Sequence, residues 1–324
     1  MSAGRGERPA ILCSPVIAAT YGDRLRSISP EYDLVLVGHG EEPSEADLAR
    51  VDIGFFSGDL FPDHVREFFG AATRATNTRW FHTMSAGVDS PVFGRIRDAG
   101  ARLTTSSGAA APAIARTVAM YLLALSRDLR GMTRNQAEHR WDYRPYDDLD
   151  GKRIGVVGMG PIGLEVIRLA VALGMEPIGM RRRALGDEPC ETWSLDRFGE
   201  LTASVDALVL ALPLTPETGG MLNRELIDGM RPGALFVNVG RGELVDEDAL
   251  ADALARGHLG GAGLDVFHTE PLPTDSPFWD LPNVIVTPHN SGTTPGSPAR
   301  AVEIFFANFA AYRAGEPMRN EVVV

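Results

Sequence analysis

The sequence has few of the features that mark secreted, metal-binding or membrane proteins. Only two cysteines, Cys13 and Cys190, occur in 324 residues. They are too few for a disulfide framework and have no metal-ligand spacing, so both are interpreted as ordinary thiols and no metal site is predicted. No apolar run is long enough for a membrane span or a secretory signal. These absences predict a cytoplasmic protein with no membrane partner.

Positive charge is also scarce. The chain has 31 lysines and arginines against 43 acidic residues, a formal net charge of −12. Recognition of nucleic-acid phosphates needs a clustered basic face, so we expect no nucleic-acid partner. One local exception is the run of Arg181, Arg182 and Arg183, which follows a short apolar stretch. This run is either a solvated turn or a binding site for a small anion.

Short β-rich apolar runs alternate with helical patterns along most of the chain. This alternation predicts an α/β protein with two parallel-sheet domains, of the Rossmann-like or flavodoxin-like kind. The first predicted domain comprises residues 1–105 plus 292–324, and the second comprises residues 106–291. A single long apolar helix is predicted over 112–130. Its apolar face is formed by residues at three- and four-residue spacing, namely Ile114, Val118, Leu122, Leu125 and Leu129.

A glycine-rich turn opens the second domain. Gly158, Gly160 and Gly163 form G-x-G-x-x-G directly after an apolar strand pattern and at the start of a helical one. In that context the motif predicts a dinucleotide site, with the pyrophosphate at the helix N-terminus. Proline has no N–H, so the better donor after Gly160 is Ile162 rather than Pro161. The predicted contacts of this turn are Gly158, Met159, Gly160, Pro161, Ile162 and Gly163.

The arginine run lies where such a unit meets the adenosine ribose. An NAD site usually places an acid there, whereas Arg181 occupies that place and no carboxylate precedes it. Arginine cannot accept a hydrogen bond from a ribose hydroxyl, but it can bind a 2′-phosphate. We therefore expect Arg181, Arg182 and Arg183 to favour NADP(H), with NAD(H) as the second cofactor. The alternative is a surface turn in an enzyme that uses either cofactor.

Four further motifs carry a resemblance to a known family. The sequences "FVNVGRGELVDE" (236–247), "GAGLDVFHTEPLP" (261–273) and "NVIVTPHNSG" (283–292) follow one another in the second domain, and "TMSAGVD" (83–89) lies in the first. Together they resemble the D-isomer-specific 2-hydroxyacid dehydrogenases, with the glyoxylate/hydroxypyruvate reductase branch most similar. The resemblance covers nearly the whole chain. It implies a substrate domain, a dinucleotide-binding domain, an active-site cleft between them, and a homodimer formed through the cofactor domains.

The resemblance also assigns catalytic roles, and the chemistry of the residue types agrees with it. Arg241 matches the arginine that binds the substrate carboxylate and carbonyl, for which a planar guanidinium is suited. His289 matches the acid/base histidine, which titrates in the useful range. Glu270 matches the acid that orients this histidine. Taken singly, each residue also has an ordinary structural explanation as a helix-entry residue, a loop acid or a loop histidine.

Further contacts are implied by the same resemblance. Asp265 matches the acid beside the nicotinamide carboxamide, and Gly87 and Val88 are expected to offer backbone N–H groups to the substrate carboxylate. The remaining expected cofactor contacts are Leu212, Pro213, Thr218, Val239, Asp265, His289 and Gly292. The expected substrate contacts are Ser85, Ala86, Gly87, Val88, Arg241 and Trp141, of which Trp141 has core packing as its alternative.

Three departures from the family pattern lead to separate expectations. Gly240 before the Arg-Gly pair predicts a looser turn, and Asn290 with Ser291 predicts added polarity near the nicotinamide. Arg116 stands where the family often has a glutamate, which suggests a more acidic substrate. Two alternatives to a small 2-keto acid reductase stay open. One is a family member acting on a dicarboxylate, a phosphonate-bearing acid or phosphite, with formate disfavoured, and the other is a non-catalytic NAD(P)-sensing corepressor.

Overall fold

The chain divides into two compact units. The computed structural model describes residues 8–88 and 90–322. One unit comprises Met1–Ala109 with Thr294–Val324, and the other comprises Ala110–Thr293. The division by itself assigns no function to either unit, so the substrate-domain and cofactor-domain roles stay predictions.

The first unit is built on a parallel sheet in which five strands are described. Their order is β2-β1-β3-β4-β5, and they are β1 (Ala10–Cys13), β2 (Asp33–Leu36), β3 (Val51–Phe56), β4 (Trp80–Thr83) and β5 (Arg102–Thr105). The helices between them are α1 (Pro15–Ile28), α2 (Glu45–Leu48), α3 (Val65–Arg74) and α4 (Pro91–Asp98). Every residue of β3 is buried, as expected for a parallel strand covered on both faces.

The second unit begins with two helices and contains a larger parallel sheet. The helices are α5 (Ala111–Ser126) and α6 (Leu129–Ala137). The strands are β6 (Arg153–Val157), β7 (Glu176–Met180), β8 (Glu191–Trp193), β9 (Ala207–Leu210), β10 (Leu235–Asn238), β11 (Gly261–Leu264) and β12 (Val284–Val286). The connecting helices are α7 (Pro161–Ala172), α8 (Phe198–Ser204), α9 (Arg224–Asp228) and α10 (Glu247–Ala255). The strand order is β12-β11-β10-β9-β6-β7-β8.

The last helix, α11 (Gly296–Ala314), belongs to the first unit. Its Phe305 ring stacks on Phe55 at 4.2 Å and on Trp80 at 5.2 Å between centroids, and Phe309 stacks on Trp80 at 6.2 Å. These aromatic contacts pack the C-terminal helix against the sheet formed by the N-terminal residues.

The predicted α/β class with two parallel-sheet domains is confirmed.

The prediction of a single helix over 112–130 is wrong. Helix α5 ends at Ser126, and Asp128 adopts a left-handed backbone conformation with φ of 47°. The Asp128 carboxylate then accepts the Gly131 N–H at 3.0 Å and caps α6. Val118 and Leu122 are buried as the predicted face requires, whereas Leu129 begins the new helix and is half exposed.

No helix in residues 8–88 and 90–322 is both long and apolar enough to cross a membrane.

Candidate active site

The predicted site residues of the second unit follow the carboxyl ends of neighbouring parallel strands. The ends of β6 and β7 lead to the glycine turn and to Arg181, and the ends of β10, β11 and β12 lead to Arg241, Asp265 and His289. The chain passes from β6 to β7 on one side and later from β9 back beside β6 on the other. Ligands bind at such a switch point in open α/β sheets. The strand order therefore places the glycine turn at the switch point.

The glycine turn fits a dinucleotide pyrophosphate. Gly158 has φ of +99°, and a Cβ there would lie 2.6 Å from the carbonyl oxygen of Ala211. A Cβ at Gly163 would overlap the carbonyl oxygen of Gly158, whereas a Cβ at Gly160 would point into open space. Two glycines are thus needed for the turn itself, and the third leaves the approach of a ligand unobstructed.

The helix that follows this turn supplies the donors. Gly160 is the N-cap of α7, and Pro161 occupies its first turn. The first N–H groups of a helix have no partner within the helix and carry a partial positive charge, which suits an anionic ligand. Met159 is buried in the core beside β6. Its backbone, rather than its side chain, is the part that remains for a cofactor.

The arginine run has an acidic neighbour that sequence reasoning missed. Arg181 Nη1 lies 3.7 Å from Glu188 Oε1. The Glu188 side chain is only 8% exposed, and its oxygens accept the N–H groups of Leu185 and Gly186, the latter at 2.8 Å. These backbone donors, and to a smaller extent Arg181, lower the pKa of Glu188. No periodic signal in the sequence marks Glu188, because its contacts arise only when the loop turns back on itself.

The other two arginines lie at the surface. Arg182 and Arg183 are exposed. The pKa of Glu217 is lowered chiefly by the Thr215 hydroxyl, and Arg182 adds a smaller electrostatic contribution. The run is therefore bounded by Glu188 and Glu217, and at least Arg182 and Arg183 present their charge to solvent.

A histidine–carboxylate pair lies after β11 and β12. His289 Nδ1 is 2.8 Å from Glu270 Oε2, and Glu270 Oε1 accepts the Phe267 N–H at 3.0 Å. An ionised carboxylate only accepts hydrogen bonds, so the proton of the pair belongs on Nδ1. The side chains of His289 and Glu270 are 48% and 36% exposed. The pair is thus accessible to a ligand.

Arg241 lies in the turn after β10, which a buried asparagine holds. Asn238 Nδ2 donates to the Arg241 carbonyl at 2.8 Å, and Asn238 Oδ1 accepts the Gly240 N–H at 3.0 Å. Both bonds hold this turn, and the loosening expected from Gly240 stays a prediction. A Cβ at Gly242 would overlap the backbone of Phe267. The turn carrying Arg241 therefore packs directly on the loop that leads to Glu270.

Asp265 organises the loop that carries His289. Its carboxylate is buried and accepts the Thr287 hydroxyl at 2.5 Å, the Asn290 N–H at 3.0 Å, the Ser291 N–H at 3.2 Å and the Ser291 hydroxyl. The Ser291 hydroxyl is thus directed at Asp265, and the polarity that Asn290 and Ser291 are expected to add near the nicotinamide stays a prediction. The contact of Asp265 with a nicotinamide carboxamide stays a prediction. Thr287 was missed because a threonine before Pro288 is unremarkable in sequence.

The remaining expected cofactor contacts lie in loops of the second unit. Leu212 and Val239 are buried, and Pro213 is exposed. The Thr218 hydroxyl accepts the Thr215 N–H at 2.8 Å and donates to the Pro213 carbonyl at 2.9 Å, so it holds its own loop. Gly292 lies half-buried near the end of the unit. In the part of the chain that the structure describes, no group of three or more potential ligand side chains could hold a metal ion.

The expected substrate contacts are divided between the units. Ser85, Ala86, Gly87 and Val88 follow β4 in the first unit, and Asp89 lies outside the described residues. The Ser85 hydroxyl donates to the Gly87 carbonyl at 2.9 Å, which folds this loop into a compact turn. Their contact with a substrate stays a prediction.

Trp141 belongs to the second unit but not to the group around His289. It lies in the irregular segment between α6 and β6 and is 94% exposed, so the core-packing alternative is wrong. It lines a surface cavity of about 410 Å³ with Arg134 and Arg140, and no other predicted site residue lines that cavity. Arg116 is exposed on α5. The structure thus pairs Glu270 with His289 and packs the turn of Arg241 on the loop before Glu270, whereas Trp141 lies in a separate exposed segment and Arg116 on α5. The approach of the Arg241 side chain to the pair stays a prediction.

A glycine turn at the switch point, with a histidine–carboxylate pair on the same sheet edge, is the arrangement of a nucleotide-dependent dehydrogenase. The family model for the NAD binding domain of the D-isomer specific 2-hydroxyacid dehydrogenases matches residues 119–291. The chain belongs to the D-isomer specific 2-hydroxyacid dehydrogenase family.

Relatives of known sequence or structure support this membership. An uncharacterised protein from the proB 3′ region of Corynebacterium melassecola is 32% identical over 90% of this chain and 94% of its own. Glyoxylate/hydroxypyruvate reductase B of Pectobacterium carotovorum is 34% identical over 76% of this chain and 79% of its own. The crystal structure of a D-isomer specific 2-hydroxyacid dehydrogenase from Xanthobacter autotrophicus, in complex with NADPH and MES, is 31% identical, covers 98% of both chains and has a TM-score of 0.82.

Proposed function

We propose that this protein is an NADPH-dependent reductase that converts a small 2-keto acid, of the glyoxylate or hydroxypyruvate kind, to the D-2-hydroxy acid. The observation that carries the proposal is the 2.8 Å pair of His289 Nδ1 and Glu270 Oε2, on the sheet edge that also bears Arg241 and the glycine turn. The similarity to a glyoxylate/hydroxypyruvate reductase supports the substrate class.

The chemistry follows from the groups present. Glu270 holds Nδ1, so Nε2 is the ring nitrogen left to give a proton to the substrate oxygen. The Arg241 guanidinium offers parallel donors to the substrate carboxylate, and its charge stabilises the developing alkoxide. A bound nicotinamide supplies the hydride. Gly87 and Val88 are proposed to bind the substrate carboxylate through their N–H groups, which have no acceptor among the described residues.

The proposed preference for NADPH rests on the arginine run. A bound 2′-phosphate would compete with Glu188, which lies 3.7 Å from Arg181, for the Arg181 guanidinium. Arg182 and Arg183 are exposed and are therefore accessible to the same phosphate. Two charge-assisted contacts at about 1.5–3 kcal/mol each favour NADPH over NADH by about 10²- to 10⁴-fold. The NADPH in the Xanthobacter structure supports this preference.

We also propose a cytoplasmic homodimer formed through the second unit. The segment between α6 and β6 is held to its own unit by Asn135, which accepts from Arg140 and donates to Asp142. Trp141 and Tyr143 alternate with these residues and are 94% and 93% exposed. Two ordered, exposed aromatic side chains are an unusual surface for a monomer. Sedimentation equilibrium tests the dimer.

The decisive experiment measures loss of NADPH and of NADH separately with glyoxylate, hydroxypyruvate, phenylpyruvate, oxaloacetate and a phosphonate-bearing keto acid. We expect turnover of the two small acids with NADPH and chiral analysis showing the D-product. Turnover of only the acidic substrates would instead favour the more acidic class that Arg116 suggested. Absence of turnover with every acid would favour the sensor alternative.

A matched pair of variants tests the cofactor assignment. Arg181→Gln removes the proposed phosphate contact, and we expect the KM for NADPH to rise about 10- to 100-fold with little change for NADH. Arg256→Gln removes an exposed arginine of the same unit, paired with Asp228, and serves as the control. Equal KM changes for the two cofactors in Arg181→Gln would contradict the assignment.

A further inference from the structure

The loop that carries His289 is held in an unfavourable conformation. His289 has φ of +49°, in the left-handed region that non-glycine residues rarely adopt. Its N–H donates to the Asp265 carbonyl at 2.8 Å, and the Asp265 carboxylate binds residues on both sides of it. Such a conformation persists only where its surroundings enforce it. The position of the imidazole therefore depends on what fixes Asp265.

A buried tyrosine on α5 continues this network. Tyr121 Oη lies 2.5 Å from Thr287 Oγ1, which lies 2.5 Å from Asp265 Oδ1. Asp265 as a carboxylate only accepts, so Thr287 gives it its single proton and Tyr121 must be the donor to Thr287. Burial raises the pKa of Tyr121, so its hydroxyl keeps the proton that this order requires. The hydrogen bonds thus run in one direction, from Tyr121 through Thr287 to Asp265.

A glycine in the sheet provides the space that the Tyr121 ring occupies. Tyr121 is fully buried, and its ring packs on Gly263 in β11, where a Cβ would overlap the ring atoms. Gly263 lies on β11 two residues before Asp265, which directly follows the strand. The missing side chain at 263 thus lets the ring of an α5 residue reach the end of β11, beside the loop of His289.

We propose that Tyr121 is a positioning residue for His289 and acts through Thr287 and Asp265. This inference rests on the proposed function, because it gives the imidazole the role of proton donor. Tyr121 touches neither substrate nor cofactor in this proposal. Its hydroxyl orients the Thr287 hydroxyl that donates to Asp265. The Asp265 carboxylate then binds the Thr287 side chain before the histidine and the Asn290 and Ser291 N–H groups after it. We therefore expect a change in the orientation of His289 to lower kcat more than it raises the KM for keto acid.

Removing the hydroxyl chain tests the proposal. Tyr121→Phe and Thr287→Val leave a buried polar group without its partner, and we expect kcat to fall about tenfold with the KM for keto acid changed less than twofold. Thr287→Ser keeps the hydroxyl, and we expect it to retain most of kcat. An unchanged kcat in Tyr121→Phe would overturn the proposal, as would equal losses in Thr287→Ser and Thr287→Val.

The control removes a comparable bond elsewhere. Tyr32 donates to Asp52 at 2.6 Å in the first unit, so Tyr32→Phe also loses a hydrogen bond made by a tyrosine hydroxyl. We expect its kcat to stay near the wild-type value. A loss in Tyr32→Phe as large as that in Tyr121→Phe would show a general effect of destabilisation and overturn the proposal.

A spectroscopic measurement separates this proposal from the reductase assignment. In ¹⁵N-histidine-labelled protein, the Nδ1 proton held by Glu270 gives a protected imidazole resonance, assigned by its absence in His289→Asn. We expect the resonance to broaden or disappear in Tyr121→Phe and to persist in Tyr32→Phe. If the wild-type protein reduces no keto acid, the proposed function fails while this comparison still decides the positioning role. Persistence of the resonance in Tyr121→Phe would then overturn it.

Discussion

His82 is a buried histidine whose surroundings favour its neutral form. In the core of the first unit, its Nδ1 lies 2.7 Å from Thr104 Oγ1 and its Nε2 lies 2.9 Å from Ser106 Oγ. Hydroxyl groups can satisfy one protonated and one bare ring nitrogen, so the neutral ring is fully bonded. Burial lowers the pKa of His82 to about 3. The side chain therefore remains uncharged at physiological pH.

This burial predicts a loss of stability in mild acid. An unfolded histidine titrates near 6.5, so between about pH 3 and 6.5 the unfolded chain binds one more proton than the folded chain. The free energy of unfolding therefore falls as the pH is lowered through this window, by up to about 1.4 kcal/mol per pH unit. In His82→Gln, whose amide does not titrate, we expect a flatter decline between pH 6.5 and 4.5.

Urea unfolding at pH 7, 5.5 and 4.5 measures this difference. His139→Gln, at an exposed histidine, is the control and should follow the wild-type curve. Wild-type and His82→Gln midpoints that decline in parallel would contradict the assignment of the acid sensitivity to His82.

The role of a residue was predictable from sequence where the residue stands in a recognised motif. It was not predictable where the role depends on a contact that forms only in the folded chain. Glu270 and His289 stand in family motifs, and the structure places them 2.8 Å apart. Glu188 and Tyr121 belong to no motif, because each acts by binding a loop that folding brings to it. Asn238 stands in the motif of Arg241, but nothing in the sequence marks its role, because its side chain only holds the turn after β10. Reactive side chains are therefore more predictable from sequence than the side chains that hold them in place.

At the scale of elements, periodicity predicts a helix better than it predicts its interruption. The apolar spacing of α5 continues into the first residue of α6, so the sequence favours one helix. The two helices are separated by the left-handed backbone conformation of Asp128. This conformation depends on the cap that the Asp128 side chain forms and on the Arg144 side chain that pairs with Asp128. The strand-turn-helix around Gly160, by contrast, was predictable, because its glycine spacing is itself a local steric requirement.

The cap at Asp128 leads to a stability prediction. Asp128→Ala loses the bond to the Gly131 N–H and puts a residue with no polar side chain in the left-handed region, so we expect the free energy of unfolding to fall by about 2 kcal/mol. Asp128→Asn keeps both the cap and the tolerance of positive φ. It loses only an exposed ion pair with Arg144, and we expect a change of less than about 0.5 kcal/mol.

Urea denaturation of the three proteins decides between these effects. Asp128→Gly relieves the backbone strain but still lacks the cap, so it should lie between the other two. Similar losses in Asp128→Asn and Asp128→Ala would show that the charge of Asp128, rather than its cap and conformation, stabilises this junction.

At the scale of the molecule, the alternation of strands and helices was sufficient to predict two parallel sheets. The order of strands was not predictable from that pattern, because every buried parallel strand has a similar apolar sequence. The order nevertheless decides the site, since it brings the ends of β10, β11 and β12 together on one side of the switch point and β7 to the other. The proposed catalytic and phosphate-selecting residues thus occupy opposite parts of one sheet edge.

This separation predicts that cofactor selection can be measured without catalysis. A ligand that binds only the folded second unit stabilises it by about 2.7 kcal/mol at a hundred times its Kd, and by about 0.4 kcal/mol at its Kd. Suppose that NADPH binds about 10²-fold more tightly than NADH and that both are supplied at the Kd for NADH. NADPH should then raise the unfolding temperature of this unit by about 5–10 °C, and NADH should raise it by about 1 °C.

Differential scanning calorimetry with each cofactor and no substrate tests this expectation. Arg181→Gln should reduce the shift with NADPH toward that with NADH, whereas His289→Asn should leave the difference between cofactors intact, because the histidine acts at the other part of the edge. Equal shifts with NADPH and NADH in the wild-type protein would assign the three arginines to a solvated turn. A collapse of the difference in His289→Asn would show instead that the two parts of the edge do not act separately.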